Sequence, residues 1–376
     1  MKVLVTGAKG FIGQNIVSRF GVEDNIEVIQ YMRESTIDEL RIALTEVDFI
    51  CHMAGVNRSK DENEFTKVNT DFTSKLCKEI QHTGRHIPIL FASSVYVERD
   101  NLYGKSKHNL YGKSKLDAEE VLLQYSNETG SLVYIFRLPH VVGKWCRPNY
   151  NSVVATFCYN IARNLPIKID DPDYQLNLVY IDDLIDLILQ IISGERSFGP
   201  YCEVSPSYPI TVGNLATQLQ AFKDSRSTLI TERVGKGLLR ILYATYTSYL
   251  PLKDFSYNIE KHSDNRGLFA EVLKTKDSGQ FSFFTAHPGI TRGGHYHHSK
   301  TEKFLVIKGE AKFQFRNIMT NELHQILTSA ENLQIVETIP GWAHDITNVG
   351  DDEMVVMLWA NEIFDLQHPD TYTSHL

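Results

Sequence analysis

The chain has 376 residues and a formal net charge of −8, from 38 Lys and Arg against 46 Asp and Glu. This length exceeds that of one ordinary domain and predicts two. The negative charge argues against nucleic acid or an anionic membrane as a general partner. The five cysteines are scattered and contain no CxxC pair, which argues against a disulfide framework or a thiolate zinc site and fits a reducing cytoplasm.

The first predicted element is a strand at 2–6 that runs directly into a glycine-rich turn, so we expect no signal peptide there. Up to about residue 180, short β-branched runs alternate with amphipathic helical stretches, a pattern typical of a parallel sheet covered by helices. The longest apolar runs fall well short of the roughly 20 residues that a membrane span needs. We therefore expect a soluble protein that begins with an α/β Rossmann domain.

The pattern changes from about residue 255 to closely spaced strands with no room for helices between them, among them FLVIKG, AKFQFR and MVVMLWA. This texture predicts an all-β barrel or sandwich. A helical pattern ends at Leu250 and Pro251, so the predicted boundary lies near residue 250. The predicted domains are thus 1–250 and 251–376.

A glycine-rich segment, GAKGFIG, follows the first strand and opens a helix. Glycines allow a tight turn and a close approach of the backbone, and a helix N-terminus offers free N–H groups to a pyrophosphate. The segment therefore predicts a dinucleotide site. Its predicted cofactor-binding residues are Gly7, Gly10, Phe11, Ile12 and Gly13.

The end of the second strand bears on the choice of cofactor. In NAD-binding proteins of this kind, an acidic residue at this strand end holds the ribose diol. Here the first acidic residue after the strand is Glu34, and Arg33 comes before Glu34. A guanidinium suits a 2′-phosphate, so NADPH is the predicted cofactor. An arginine at a strand end is also often only a solvated surface residue.

Several segments resemble the extended short-chain dehydrogenase/reductases that act on nucleotide sugars: GAKGFIG, CHMAG, FASS, YGKSK, FRLPHVVG and VYIDD. The resemblance covers about residues 1–245. It implies that Ala54 and Gly55 lie beside the cofactor and that Ser94 belongs to a Ser-Tyr-Lys triad. In such a triad the tyrosine donates a proton to the ketone oxygen that gains charge on hydride transfer. The serine helps to hold that oxygen, and the lysine favours the phenolate.

The heptapeptide NLYGKSK occurs twice within residues 101–115, so the triad has two candidate Tyr-Lys pairs. Tyr103 and Lys107 follow the triad serine through a loop, and loops accept insertions at little cost. Tyr111 and Lys115 run without interruption into an amphipathic helix, in which an eight-residue insertion would rotate the buried face by roughly 80°. We favour the second pair, and the first pair stays open.

The same resemblance places contacts to the nucleotide sugar in and after FRLPHVVG. The residues that it implies are Arg137, Lys144, Arg147 and Asn149. A guanidinium in this region suits a diphosphate.

Histidines in residues 289–309 and 340–348 have the spacing of the two cupin motifs. The first motif, G(x)5HxH(x)4E(x)6G, is matched at every position, and the second keeps its histidine although its proline is displaced. Side chains i and i+2 of a strand point to one side, so the first two histidines face the barrel interior. The predicted metal ligands are His295, His297, Glu302 and His344. Zn, Fe, Ni and Mn all suit this set, and zinc is the first choice on general grounds.

Two further segments, DNRGLFAE at 264–271 and RGGH at 292–295, resemble the dTDP-4-dehydrorhamnose 3,5-epimerases, which are cupins without metal. In that family the histidine is a base that removes the proton beside a keto group. His295 is therefore a base or a ligand, and the other motif residues favour a ligand. Candidates for the base, which the sequence does not rank, are then Tyr296, His298 and Lys303.

The two halves together, with GKWCRPNYNS at 143–152, resemble the CapF family of bacterial capsular polysaccharide enzymes over nearly the whole chain. This implies C3 epimerisation of a UDP-4-keto-2-acetamido-2,6-dideoxyhexose by the cupin, then NADPH-dependent C4 reduction towards UDP-N-acetyl-L-fucosamine. The implied partner is a UDP-activated amino-deoxy sugar. We also expect a homodimer, because both domain types often dimerise. Two alternatives stay open: a single-activity reductase or dehydratase with a structural cupin, and a non-enzymatic NADPH sensor.

Overall fold

The structure of the protein is a computed structural model that describes residues 1–98, 107–196 and 199–376, with the side chains of 107–109 outside the description. The chain divides into two compact units. The first comprises Met1–Leu219 and Arg240–Leu250, and the second comprises Gln220–Leu239 and Pro251–Leu376. Within the described ranges, no helix combines the length and apolar character that crossing a bilayer requires.

The first unit is built from strands that alternate with helices. Its strands are β1 Lys2–Thr6, β2 Glu27–Tyr31, β3 Phe49–His52, β4 Ile89–Ser94, β5 Val133–Leu138, β6 His140–Val142, β7 Gln175–Tyr180 and β8 Tyr208–Thr211. The helices are α1 Phe11–Phe20, α2 Ile37–Leu44, α3 Asn63–Phe65, α4 Phe72–Thr83, α5 Lys107–Thr129, α6 Val153–Ala162, α7 Ile181–Ile192, α8 Val212–Thr228 and α9 Gly237–Thr247. A π-helical turn, Thr66–Asp71, joins α3 to α4. Two boundaries between the units fall within the sequences of α8 and α9.

The parallel sheet of this unit has the order β2-β1-β3-β4-β5. Its central strands are buried along their whole length, as helices on both faces require, and Leu4, Ile50 and Phe91 belong to one apolar cluster. Strand order reverses between β1 and β3, so a crevice opens beyond their carboxyl ends, where such folds bind nucleotides. The predicted Rossmann fold is confirmed. A smaller sheet has the order β6-β7-β8.

Local sequence signals account for several helix ends. Thr36 and Glu39 form a reciprocal capping box at the start of α2, and the Ser152 hydroxyl accepts from Ala155 N at the start of α6. Helix α4 ends at Gly84, whose φ of 70° is the left-handed conformation that glycine adopts without strain.

The second unit is rich in antiparallel strands. They are β9 Ile230–Thr231, β10 His262–Asp264, β11 Gly267–Thr275, β12 Gly279–Ala286, β13 Thr291–Tyr296, β14 Glu302–Lys308, β15 Glu310–Asn317, β16 Leu323–Ser329, β17 Ile335–Glu337, β18 Trp342–Asn348, β19 Met354–Ala360 and β20 Tyr372–Thr373. One sheet has the order β10-β11-β12-β19-β14-β17, with β9 beside β11. The other has the order β16-β15-β18-β13-β20. The predicted cupin-like β domain is confirmed.

Both sheets of this unit contribute to one apolar cluster, which includes Phe284, Phe304, Phe313 and Ile346. Alternation along β14 buries residue 302 together with Phe304 and Val306, whereas residue 303 is exposed. The period of the strand therefore turns the motif glutamate into the interior of the unit.

Candidate active site and candidate metal centre

The glycine-rich turn lies at the crevice between β1 and β3. Gly7 has a φ of +65°, and a Cβ there would lie 2.8 Å from the backbone of Ala54. A Cβ on Gly13 would lie 2.2 Å from the carbonyl oxygen of Gly7. Only glycine fits both positions, because a side chain would collide with backbone. The turn ends at Gly10, after which the half-buried Phe11 and Ile12 open α1. The turn and the start of the helix thus form a cradle suited to a pyrophosphate.

The charged residues at the end of β2 have protein partners in this structure. Arg33 Nη2 donates to Glu64 Oε1 at 2.9 Å, and the arginine side chain is 84% exposed. Glu34 is ion-paired with Lys9 of the glycine-rich turn. Exposed ion pairs contribute about 0–1 kcal/mol, so Glu64 holds the guanidinium only weakly.

The structure brings Ser94, Tyr111 and Lys115 together. Ser94 ends β4, and the side chain of Tyr111 on α5 interacts with that of Ser94. Burial raises the pKa of Tyr111 above its ordinary value, while the interaction with Ser94 opposes that rise. One helical turn on, Lys115 Nζ donates to the carbonyl oxygen of Ala92 at 2.8 Å. Burial lowers the pKa of Lys115 to about 8.

The alternative pair is Tyr103 and Lys107. Tyr103 lies outside the described residues. Lys107 opens α5, and its side chain also lies outside the description. The favoured pair stays a prediction that the geometry of Ser94 and α5 supports.

Asn69 links the predicted cofactor-side loop to α5, and the sequence analysis did not identify it. This buried residue of the π-helical turn donates to Ser114 Oγ at 2.9 Å and accepts from Val56 N at 2.8 Å. A Cβ on Gly55 would lie 2.9 Å from Lys115 Nζ and 3.1 Å from Asn69 Oδ1. Gly55 therefore lets the loop after β3 pack against the lysine of the cluster. An asparagine on the buried side of a helical stretch was the available signal.

His52 is a second residue that sequence reasoning missed. It is fully buried at the end of β3, with Nδ1 2.7 Å from Thr6 Oγ1 and Nε2 2.9 Å from Thr73 Oγ1. Burial first, and then the charge of Lys115, lowers the pKa of His52 to about 3, so the ring is neutral. Ala54 N also donates to Thr6 Oγ1, at 3.2 Å. This relay ties the loop after β3 to the end of β1.

Arg137, a predicted substrate contact, is bound to carboxylates of the protein. Its Nη2 lies 2.6 Å from Glu119 Oε2, and its Nη1 lies 2.8 Å from Glu98 Oε1. Glu119 is fully buried and also accepts from Ser93. The guanidinium in addition lies 4.4 Å from the ring centroid of Tyr201. Its contact with a nucleotide sugar stays a prediction.

The other predicted substrate contacts follow β6. Lys144 Nζ donates to Asp182 Oδ1 at 2.7 Å. The guanidinium of Arg147 lies 5.1 Å from the ring centroid of Tyr150, and Asn149 has a φ of 53°. The described contacts of these three residues do not include the Ser94 cluster, so their role also stays a prediction.

The four predicted metal ligands converge in the second unit. Their ligand atoms all lie within 4.8 Å of one another. His295 on β13 is directly opposite His344 on β18, and Glu302 begins β14. His297, Glu302 and His344 are buried, and His295 is half-buried. The cluster therefore combines two strands of one sheet with one strand of the other.

The electrostatics of this cluster fit a divalent metal. Glu302 Oε2 lies 3.2 Å from His297 Nε2 and 3.5 Å from His344 Nε2. Burial opposes ionisation of Glu302, but its close contacts with the two histidines hold its pKa well below its usual range. Burial lowers the pKa of His295 to about 4. Among the described residues, His344 Nε2 is a buried atom with no hydrogen-bond partner. Neutral imidazoles and an ionised carboxylate are the states that metal ligation needs.

A cavity of about 580 Å³ lies beside the cluster, and His295 and Glu302 line it. The other lining residues include Asp264, Arg266, Phe269, Glu271, Arg292, Lys300 and Phe364. Lys300, which the sequence did not suggest, is buried. Lys303 instead lies on the outer side of β14 and pairs with Glu337. Tyr296 and His298 pack with the ring of Tyr372. Of the described residues in this loop, Lys300 is therefore the basic side chain that faces the cavity.

Known proteins match both units. Residues 3–201 match the NAD dependent epimerase/dehydratase family, and residues 262–372 match the polysaccharide biosynthesis C-terminal domain. The chain is 55% identical over 372 residues to the UDP-2-acetamido-2,6-beta-L-arabino-hexul-4-ose reductase of Pseudomonas aeruginosa, covering 99% of this chain and 98% of that protein. The crystal structure of the capsular polysaccharide assembling protein CapF from Staphylococcus aureus matches with a TM-score of 0.91 and 38% identity over 100% of both chains. The chain belongs to the CapF family.

Membership of the CapF family confirms the resemblance identified in the sequence. The epimerase/dehydratase domain of the first unit implies a nicotinamide cofactor. UDP-glucuronic acid 4-epimerase from Bacillus cereus, in complex with UDP-glucuronic acid and NAD, matches at 18% identity with a TM-score of 0.52, over 59% of this chain and 83% of that one. That likeness shows the fold alone.

Proposed function

We propose that this CapF family member is a bifunctional nucleotide-sugar enzyme of capsular or surface polysaccharide synthesis. The second unit epimerises C3 of a UDP-4-keto-2-acetamido-2,6-dideoxyhexose, and the first unit reduces C4 with NADPH, towards UDP-N-acetyl-L-fucosamine. The observation that carries the proposal is the presence of two chemically distinct clusters in one chain. The Pseudomonas relative supports the substrate class, since it is named as a reductase of a UDP-2-acetamido-2,6-beta-L-arabino-hexul-4-ose.

The proposed reduction uses the Ser94 cluster. When bound, NADPH supplies the hydride that adds to the C4 carbonyl carbon. Tyr111 donates its hydroxyl proton to the oxygen, while Ser94 donates a hydrogen bond that holds it. Lys115 stabilises the resulting phenolate by its charge, one helical turn away. The balanced products are the C4 alcohol and NADP⁺.

The proposed epimerisation must come first. The C3 hydrogen is acidic only while C4 is a ketone, because the enolate spreads its charge onto the ketone oxygen. His295, His297, Glu302 and His344 would hold a divalent metal, with zinc preferred on general grounds. When bound, the metal supplies Lewis acidity that polarises the C4 carbonyl. A base in the cavity removes the C3 proton, and a proton exchanged with solvent is added to C3 from the opposite face, so the step is neutral in atoms and electrons.

The proposed preference for NADPH rests on the cations near the crevice. Arg33 follows β2, and Lys9 lies within the glycine-rich turn. Both side chains are mostly exposed, and both are paired with carboxylates through exposed contacts. A dianionic 2′-phosphate competes well for such partners.

We further propose that the protein is a cytoplasmic homodimer. All five cysteines are free, with four of them buried, which supports a reducing compartment. Light scattering on the purified protein tests the dimer, and a monomeric mass at micromolar concentration would contradict it.

The decisive experiment incubates the UDP-4-keto-2-acetamido sugar with the protein in deuterated water, with and without NADPH, and follows the products by mass spectrometry. We expect one deuterium at C3 without NADPH, and a reduced, C3-deuterated product with it. Reduction without any C3 deuterium would favour the single-activity enzyme with a structural cupin. Tight NADPH binding without turnover would favour the non-enzymatic sensor.

A further inference from the structure

Residues 369–375, here called the 369–375 segment, run along the strand that carries the first metal ligand. Strand β20 within this segment pairs antiparallel with His295 and Tyr296 of β13. Ser374 N also donates to the carbonyl oxygen of Gly294 at 2.8 Å. The segment is thus fastened beside the proposed metal centre over several residues.

One backbone group of this segment contacts a metal ligand directly. His297 Nδ1 lies 2.6 Å from the carbonyl oxygen of Asp370. A carbonyl only accepts hydrogen bonds, so Nδ1 is the donor in this contact and Nε2 is the ring nitrogen turned to the cluster. In the cluster, Nε2 lies 3.2 Å from Glu302 Oε2. Partners of this kind set the tautomer and orientation of metal-binding histidines.

The carboxylate of the same residue holds the loop between two ligands. Asp370 Oδ1 accepts from His298 N at 3.0 Å. Oδ2 accepts from Ser299 N at 2.9 Å, from Ser299 Oγ at 2.9 Å and from Lys300 N at 2.8 Å. This loop separates His297 from Glu302 in the chain, so its conformation sets the distance between those two ligands.

The backbone and the side chain of Asp370 depend on each other. Its φ of 37° approaches the left-handed region, which costs energy for any residue other than glycine and is tolerated best by Asn and Asp. The hydrogen bonds of the carboxylate offset that cost. Removing the side chain would therefore release the carbonyl group from His297 as well as the loop 298–300.

A neighbouring residue places the cation of the cavity. Lys300 Nζ donates to Thr371 Oγ1 at 3.0 Å, and Thr371 Oγ1 donates to the carbonyl oxygen of Pro369 at 2.8 Å. Lys300 lines the same cavity as His295. The 369–375 segment thus contacts both the metal cluster and the buried cation beside it.

We propose that Asp370 is a positioning residue of the metal centre, holding His297 through its carbonyl group and the loop 298–300 through its carboxylate. The four ligand atoms are thereby held at ligand spacing before the metal binds. This inference rests on the metal-binding function proposed above. It adds a residue of the 369–375 segment that is separated from its ligand by 73 positions in the chain.

The test compares Asp370→Ala and Asp370→Asn with Asp365→Asn in the full-length protein. Asp365 is a matched control, because it accepts from Gln367 N at 2.8 Å in the same part of the chain but does not contact the cluster. Zn²⁺ dissociation constants are measured by competition with a chromophoric chelator. We expect Zn²⁺ binding to weaken about 10- to 100-fold in Asp370→Ala, less in Asp370→Asn, and not in Asp365→Asn.

Two further readouts separate positioning from mere stability. The visible spectrum of the Co²⁺-substituted protein reports ligand geometry and should change in Asp370→Ala only. The melting temperature of the metal-free protein reports stability. A lower melting temperature with an unchanged Zn²⁺ constant and Co²⁺ spectrum would overturn the inference. Absence of Zn²⁺ binding by the wild-type protein would instead defeat the proposed metal function itself. Asp370→Asn keeps the test open if the alanine variant fails to fold.

Discussion

The two candidate centres are assembled in opposite ways. Ser94 and the Tyr111–Lys115 pair come from one strand end and the start of the helix that follows it in the chain. The candidate metal cluster instead takes its residues from β13 and the loop after it, from β14 and from β18, and residue 370 contacts one of them from far along the chain. A proton donor and its lysine need only a shared helix face. Four metal ligands need strands that converge from several parts of the chain.

The two centres also treat buried charge differently. At Lys115, burial outweighs the attraction of Glu119 and lowers the lysine pKa to about 8. At Glu302, contacts with His297 and His344 outweigh burial and hold the carboxyl pKa well below its usual range. The first centre thus contains a lysine whose charge depends on pH close to neutrality, and the second keeps an anion that suits a cation.

The largest expected effect is a loss of C4 reduction that leaves exchange at C3 intact. Tyr111→Phe removes the proposed proton donor, so kcat for NADPH-dependent reduction should fall about 10²- to 10⁴-fold. Solvent deuterium should still enter C3 at the wild-type rate, because the second unit is unchanged. Tyr103→Phe, in the other copy of the heptapeptide, is the matched control and should reduce normally. Loss of reduction in Tyr103→Phe alone would show that the first copy is catalytic.

A substitution in the second centre should abolish C3 exchange. Glu302→Gln removes the anionic ligand, so the Zn²⁺ affinity should fall at least about 100-fold, and C3 exchange should be lost. Titration calorimetry and deuterium incorporation measure these two effects. Glu337 is the exposed ion-pair partner of Lys303. Glu337→Gln removes the same negative charge away from the cluster and is therefore the control. Exchange that survives in metal-free Glu302→Gln would mean that the epimerisation needs no metal.

A smaller effect tests the cofactor cradle of the first centre. Arg33→Ala should lower the ratio of kcat/KM for NADPH to that for NADH by roughly 10- to 100-fold, the value of one charge-assisted hydrogen bond. Glu64→Gln frees the same guanidinium from its ion pair and should leave the ratio unchanged or raised. An unchanged ratio in Arg33→Ala would remove this residue from cofactor selection.

The smallest effect concerns the relay behind the crevice. His52 is neutral in the native state with a pKa of about 3, whereas in the unfolded chain it titrates at its ordinary value of 6.5. The unfolded state thus binds more protons between these values, and stability is lost as pH falls from 6.5 towards 3. The free energy of unfolding, measured by urea titration between pH 4 and 6, should rise with pH in the wild type. Its slope should be about 1.4 kcal/mol per pH unit smaller in His52→Asn. Equal slopes would contradict a neutral buried ring.

The sequence by itself determined the features that depend on local spacing. A strand followed by GAKGFIG requires a tight glycine turn, and the closely spaced strands after residue 255 leave no room for helices. The cupin spacing predicted four residues that the structure brings together as a candidate metal cluster, because alternation along a strand is the same in every sheet. The two identical heptapeptides, in contrast, do not indicate which Tyr-Lys pair is catalytic, since both have the same side chains at the same spacing.

Only the tertiary structure decided the contacts between distant parts of the chain. It places Tyr111 next to Ser94 and pairs Arg137 with Glu119. It also shows that Lys300 lines the cavity, whereas Lys303, a predicted candidate for the base, does not. It also reveals Asp370, whose separation from His297 leaves no trace in any local pattern. Residues of this kind are held by hydrogen bonds that form only when strands and helices far apart in the chain pack together.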